Sequence, residues 1–145
     1  MKILVINGPN INMLGIREPE IYGRDTYEDL IEYIKKAASQ LKVEAAFFQS
    51  NHEGDIVDAI QQAYGVYDGI VINPAAYTHT SVAILDALKA VALPAVEVHL
   101  SDINNREDFR KISFTASACI ATVAGKGFDS YTDAVEIFLA WTAGA

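Results

Sequence analysis

The chain has 145 residues, 51% of them hydrophobic, and a net charge of −8 from 11 Lys and Arg against 19 Asp and Glu. That length suits a single domain over residues 1–145 with a full core, and the acidic balance speaks against a nucleic-acid or anionic-membrane surface. No apolar run approaches the roughly 20 residues of a membrane span, the N-terminal run has no small-residue cleavage site that would mark a signal peptide, and the lone Cys119 has no partner in the chain, so a reducing, cytoplasmic location is expected.

Lys2 to Ile6 is a near-continuous apolar run, the pattern of a strand covered on both faces. A helix is predicted from Thr26, with Leu30, Ile31, Ile34, Ala37, Ala38 and Leu41 on one stripe. Thr26 and Asp29 have the spacing of a capping box, as do Ser50 and Glu53 farther on. Between them Val43 to Phe48 reads as the second strand. Ile56, Val57, Ile60 and Ala63 follow at helical spacing, and Gly65 is placed to end that helix. Gly69 to Ile72 is the third strand. Thr78 is expected to open a helix carrying Val82, Ile84, Leu85, Leu88 and Val91, and Pro94 closes that region. Ala95 to Val98 and Cys119 to Val123 are the fourth and fifth strands, and a last helix runs from about Ser130 to Trp141. Alternation of β and α about five times predicts a parallel sheet with helices on both faces.

Ligands of open parallel sheets bind at the carboxyl ends of the strands. Those ends read Asn7-Gly8-Pro9-Asn10, Asn73-Pro74-Ala75-Ala76-Tyr77-Thr78-His79 and Glu97-Val98-His99-Leu100-Ser101. The four arginines, Arg17, Arg24, Arg106 and Arg110, all lie in two segments that follow strands, while the seven lysines are scattered. Arginine offers fixed bidentate donors for carboxylates, so an acidic chain that gathers its arginines in this way suggests a small anionic ligand. Singly, each feature has an ordinary structural use. A loop arginine is usually solvated, Asn-Gly and Asn-Pro make turns, Tyr22 would serve as a loop anchor, and His79 and His99 would serve as a helix-start residue and a satisfied strand-end residue. Glu97 is harder to dismiss, because an inward-facing carboxylate needs a partner. The conjunction on one sheet edge carries the functional reading.

Several chemistries lack their motifs. There is no G-x-x-x-x-G-K-S/T phosphate loop, no G-x-G-x-x-G after the first strand, and no G-x-S-x-G elbow. His52, His79 and His99 lack metal-ligand spacing, and Gly125-Lys126-Gly127 is weak evidence for any function. What remains is acid–base chemistry by Tyr, His, Arg and Asn on a small anion, without metal or cofactor.

The segments INGPNINMLGIREPEIYG, NPAAYTHTSVAILDAL and VEVHLSDINNREDFR resemble the three signature regions of type II 3-dehydroquinate dehydratase, in order and spacing and across essentially the whole chain. The resemblance implies an α/β, flavodoxin-like three-layer sandwich with a five-stranded parallel sheet. It implies a homo-oligomer, a dodecamer of four trimers. It also implies cofactor-free elimination of water from 3-dehydroquinate to give 3-dehydroshikimate, a step used in chorismate biosynthesis and in quinate breakdown. The type I enzyme uses a lysine on a (β/α)₈ barrel, which needs about 250 residues.

By position, the resemblance makes Tyr22 the base on a lid loop after the first strand and Arg17 the residue that activates it. An unperturbed tyrosine has a pKa of about 10, so an ionised Tyr22 near neutrality needs roughly 3–4 kcal/mol of preferential stabilisation. The resemblance further implies that Asn10 stabilises the enolate, that His99 protonates the departing hydroxyl, and that Glu97 orients His99 and keeps it protonated. It implies that Asn73 and the backbone amides of Leu100 and Ser101 hold the substrate carboxylate. His79 and Arg110, with Asp86 from a neighbouring subunit, would hold the ring hydroxyls, and Arg106 would support the lid or site.

Four positions depart from the family pattern. Ala75 stands for a usual Gly, so its backbone is expected to avoid positive φ. Leu85 stands for a common Arg, Asp102 for a common Asn and Asn104 for a common His, which bears on affinity and subunit contacts. The rival reading is a non-catalytic or flavin-binding flavodoxin-like domain. A flavodoxin would need a Ser/Thr-rich loop after the first strand, and a receiver domain an acidic cluster there. This chain has Asn-Gly-Pro-Asn.

Overall fold

The computed structural model describes residues 1–16 and 18–144, and all of their side chains except those of Ile21 and Tyr22. Arg17, and the side chain of Tyr22, lie outside the described residues. Five parallel strands, β1 (Lys2–Asn7), β2 (Glu44–Gln49), β3 (Gly69–Asn73), β4 (Ala95–His99) and β5 (Ala121–Ala124), form one sheet in the order β2-β1-β3-β4-β5. This is the flavodoxin-like order, and it places a topological switch point between β1 and β3. The helices are α1 (Pro19–Tyr22), α2 (Tyr27–Gln40), α3 (Glu53–Ala63), α4 (Val82–Val91) and α5 (Asp129–Ala143). None of the described helices is long and apolar enough to cross a membrane.

The two-residue period of the strands divides the core into two halves. Ile3, Val5, Val71, Val96 and Val98 pack with Leu30 and Ile34 of α2 and with Tyr131, Val135 and Phe138 of α5. Leu4, Ile6, Ile70, Ile72 and Ala95 pack with Ile56 and Ile60 of α3 and with Ile84 and Leu88 of α4. Ile3, Ile6, Ile70 and Ile72 are wholly buried, and each contributes about 1.5–3 kcal/mol of transfer free energy. Gly69 opens β3 because a Cβ there would lie 2.3 Å from Cε2 of Phe138. The parity matters for the site. Asn7 and Asn73 continue the face that meets α5, whereas Glu97 and His99 share the face of Ala95, toward α4.

The capping box forms at Thr26 as expected, with Asp29 N donating to Thr26 Oγ1 at 3.2 Å and Thr26 N to Asp29 Oδ2 at 2.9 Å. Four local expectations are corrected. Ser50 and Glu53 do not form a box: the chain at Ser50 is still bonded to the end of β1, and α3 starts after His52. The Ser50 hydroxyl instead accepts from His52 N and donates to Asp55. Thr78 does not open α4. It lies in a 3₁₀ turn, Ala75–His79, with its buried hydroxyl bonded to Ser113 and Thr115, and Ser81 caps the helix by accepting from Ile84 N at 2.9 Å. Cys119 precedes β5 instead of beginning it, because a 3₁₀ turn at Thr115–Ala118 uses up the preceding residues. Ala75 does adopt positive φ, at 53°. Its N–H donates to Asn73 Oδ1 at 3.0 Å, which holds a conformation costing a non-glycine residue roughly 1–2 kcal/mol.

Candidate active site

The carboxyl ends of β1, β3 and β4 open into a cleft of about 530 Å³. It brings together eight of the residues expected from sequence: Asn10, Asn73, His79, His99, Leu100, Ser101, Arg106 and Arg110. Its described lining contains two arginines and two histidines but no carboxylate, although the chain has a net charge of −8. Glu97 lies beneath it, wholly buried. Asp86 is on the exposed side of α4 and does not line the cleft.

Glu97 is the most constrained group. One carboxylate oxygen, Oε2, lies 2.8 Å from His99 Nε2 and accepts from Ser113 Oγ at 2.8 Å. The other, Oε1, accepts a very short bond from the Thr115 hydroxyl. Burial alone would push this carboxyl up, but the bonds from His99, Thr115 and Ser113 outweigh it and hold it below the ordinary value. Thr78 Oγ1 lies 2.9 Å from Ser113 Oγ and 2.7 Å from Thr115 Oγ1, closing a small hydroxyl cluster under the carboxylate. A carboxylate can only accept here, so Nε2 of His99 donates, and Nδ1 is the ring nitrogen left for the cleft. His79 is fixed in the opposite sense. Its Nδ1 lies 2.7 Å from the carbonyl oxygen of Ile112, which can only accept, and this leaves Nε2 for a ligand.

The peptide planes after β4 are set by the loop after β5. Gly125 N donates to His99 O at 3.3 Å and Gly127 N to Leu100 O at 3.0 Å. In a planar trans peptide the N–H points opposite to the C=O. The N–H groups of Leu100 and Ser101 therefore point away from that loop. Gly125 has φ 84°, and a Cβ on it would come within 3.1 Å of Asp102 Cβ. Asp102 spends its carboxylate on the turn Ile103–Asn105, accepting from Asn104 N and Asn105 Nδ2 at 2.9 and 3.2 Å.

On the other wall, Asn10 is held in the left-handed region at φ 69° with its N–H donated to Asn51 Oδ1 at 3.0 Å. Arg106 Nη1 lies 3.4 Å from Ser101 Oγ. Arg110 Nε lies 2.8 Å from a carboxylate oxygen of Glu107 as an ion pair, and this buried nitrogen has no partner in hydrogen-bond geometry among the described residues. Ser113, Thr115 and Gly125 were not expected as part of the site. The only trace in the sequence is a pair of hydroxyl residues two apart and a Gly-x-Gly after the last strand, neither distinctive without the fold.

The chain matches the family model for dehydroquinase class II over residues 1–139. It is 58% identical over 131 residues to the 3-dehydroquinate dehydratase of Clostridium acetobutylicum, covering 90% of this chain and 91% of that one. To the Geotalea daltonii protein of the same name it is 59% identical over 131 residues, with 90% and 91% covered. The crystal structure of a type II dehydroquinase from Butyrivibrio crossotus superposes with a TM-score of 0.94 at 50% identity, over 96% of this chain and 97% of that chain.

Proposed function

The chain belongs to the class II dehydroquinase family, with the activity of a 3-dehydroquinate dehydratase, a hydro-lyase, and from that premise we propose how its residues divide the reaction. Tyr22, activated by Arg17, takes the proton α to the substrate ketone. The electron pair passes into an enolate, which Asn10 stabilises. The enolate then expels the β-hydroxyl, to which His99 delivers a proton, so that water leaves and a conjugated enone remains. The proton on Tyr22 returns to His99 through solvent, and the enzyme is reset. No redox step is involved.

The observation that carries this reading is the buried Glu97–His99 pair at a cleft whose described lining holds two arginines and no carboxylate. An acid that must give up a proton beside an anionic substrate needs a fixed orientation, and Glu97 supplies it. Asn73 with the N–H groups of Leu100 and Ser101 receives the substrate carboxylate. His79 Nε2 and Arg110 bind ring hydroxyls, and Arg106 supports the site beside Ser101. Asp86 faces outward from α4, so in this reading it completes the cleft of a neighbouring subunit in a trimer. Four such trimers make a dodecamer, and the enzyme works in the cytoplasm as one catalytic domain. A direct assay tests the reaction: purified protein mixed with 3-dehydroquinate should generate the ultraviolet absorption of the enone without added metal or cofactor and in the presence of a chelator. Absence of the signal, or its dependence on an added cofactor, would refute it.

A further inference from the structure

Below Asn73 a second buried network runs to α5, and the acid–base chemistry does not use it. Tyr131 is wholly buried. Its hydroxyl donates to Asn7 Oδ1 at 2.5 Å and accepts from Asn73 Nδ2 at 3.0 Å. Asn7 and Asn73 are register partners at the ends of β1 and β3, so one phenol spans the switch point of the sheet. The direction of every hydrogen bond follows from one backbone group. Ala75 N–H can only donate, so the carboxamide oxygen of Asn73 must face it. Nδ2 then faces Tyr131, whose oxygen accepts, and the single phenolic proton goes to Asn7. Burial keeps that phenol protonated far above neutral pH. One N–H of the Asn73 carboxamide remains, on a residue that lines the cleft.

We infer that Tyr131 is a positioning residue for substrate binding: with its proton committed to Asn7, it locks the Asn73 carboxamide so that one N–H stays available to the substrate carboxylate. The inference rests on the reading of Asn73 as a carboxylate contact. Without the phenol oxygen, the buried Nδ2 has no acceptor on that side and the carboxamide loses one of its two anchors. A role confined to packing would lower thermal stability and the active fraction, but not the affinity of correctly folded sites.

Steady-state kinetics with 3-dehydroquinate decide between these. Tyr131→Phe should raise KM about tenfold with kcat within about twofold, the loss expected when a charge-assisted bond is no longer held in place. Asn73→Ala should raise KM at least as much, and the double variant should match Asn73→Ala within about twofold, because Tyr131 acts only through Asn73. An unchanged KM in Tyr131→Phe, or single effects that multiply in the double variant, would overturn the positioning role. An unchanged KM in Asn73→Ala would instead overturn the carboxylate contact on which the inference rests. Should Tyr131→Phe fail to fold, Asn7→Ala frees the phenolic proton to compete for the Asn73 oxygen. It should raise KM at least about threefold, and a native KM in that variant would overturn the inference.

Discussion

Thr115→Val removes one hydroxyl and little volume from beneath Glu97. Thr115 is wholly buried, and its hydroxyl bonds both Glu97 Oε1 and Thr78 Oγ1. In the variant, Glu97 keeps His99 and Ser113 as partners, but both sit on Oε2, so Oε1 loses the donor that the structure gives it. A hydrogen bond to a charged group is worth about 1.5–3 kcal/mol, and Thr78 still has Ser113, so the expected loss is about 2 kcal/mol. For a chain of this size that corresponds to roughly 4–8 °C in Tm.

The pH dependence identifies the cause. Glu97 titrates below its ordinary value of 4.5 in the folded protein. Ionised Glu97 therefore contributes stability that is fully present above the unfolded value and is lost as pH falls through the folded one. In Thr115→Val the folded carboxyl moves back up, so the variant begins to lose stability at a higher pH than the native protein. The Tm difference should be constant from about pH 6 to 8 and shrink below the ordinary carboxylate range near pH 4. Thermal denaturation monitored by circular dichroism across pH 3–8 measures both. A Tm within 1 °C of native at neutral pH, or a deficit that persists undiminished at pH 3, would refute the claim that Thr115 acts on the Glu97 charge.

Gly125→Ala places a Cβ 3.1 Å from Asp102 at a φ of 84°; it should disturb the peptide planes of Leu100 and Ser101 and raise KM by about tenfold, with kcat less affected, since positioning of a bound carboxylate is lost. Cys119 has its thiol pushed up to about 12 by burial and the nearby Glu97 charge. In the native protein at pH 8 it should react with a disulfide reagent at least about 100-fold more slowly than in urea. Equal rates would contradict that environment. Co-expression of Asp86→Ala with Tyr22→Phe should give mixed oligomers more active than the mean of the two parents, because some sites then combine a native Tyr22 with a neighbour's native Asp86. Activity equal to the mean, with mixed oligomers confirmed by mass spectrometry, would remove Asp86 from the shared site.

Much of the architecture was legible because it rests on local periodicity. The strands β1, β3 and β4 are apolar runs with side chains alternating between two helical layers, and the Thr26 box is a contact between neighbours in sequence. The errors arose where tertiary contacts overruled local preference. Thr78 has the right chemistry for a helix cap, but its hydroxyl is engaged by Ser113 and Thr115, 35 and 37 residues away. Ala75 takes a left-handed conformation because Asn73 holds its N–H. Strand ends placed Asn10, Asn73, Glu97 and His99 near one another without any knowledge of side-chain geometry. The groups that support them, Ser113, Thr115, Gly125 and Tyr131, were not distinctive because ordinary Ser, Thr, Gly and Tyr acquire their roles only when distant segments meet.

The role of Tyr22 as the base is the centre of the mechanistic account, and Tyr22→Phe tests it most directly. The substitution removes the phenolic oxygen and keeps the ring. Enone formation from 3-dehydroquinate, followed by ultraviolet absorbance, gives the rate, and titration calorimetry on the inactive variant gives substrate affinity. The account predicts that kcat falls at least about 10³-fold, within the range of general-base contributions, while Kd stays within about threefold of the native KM. A variant that retains more than a tenth of the native kcat would contradict it.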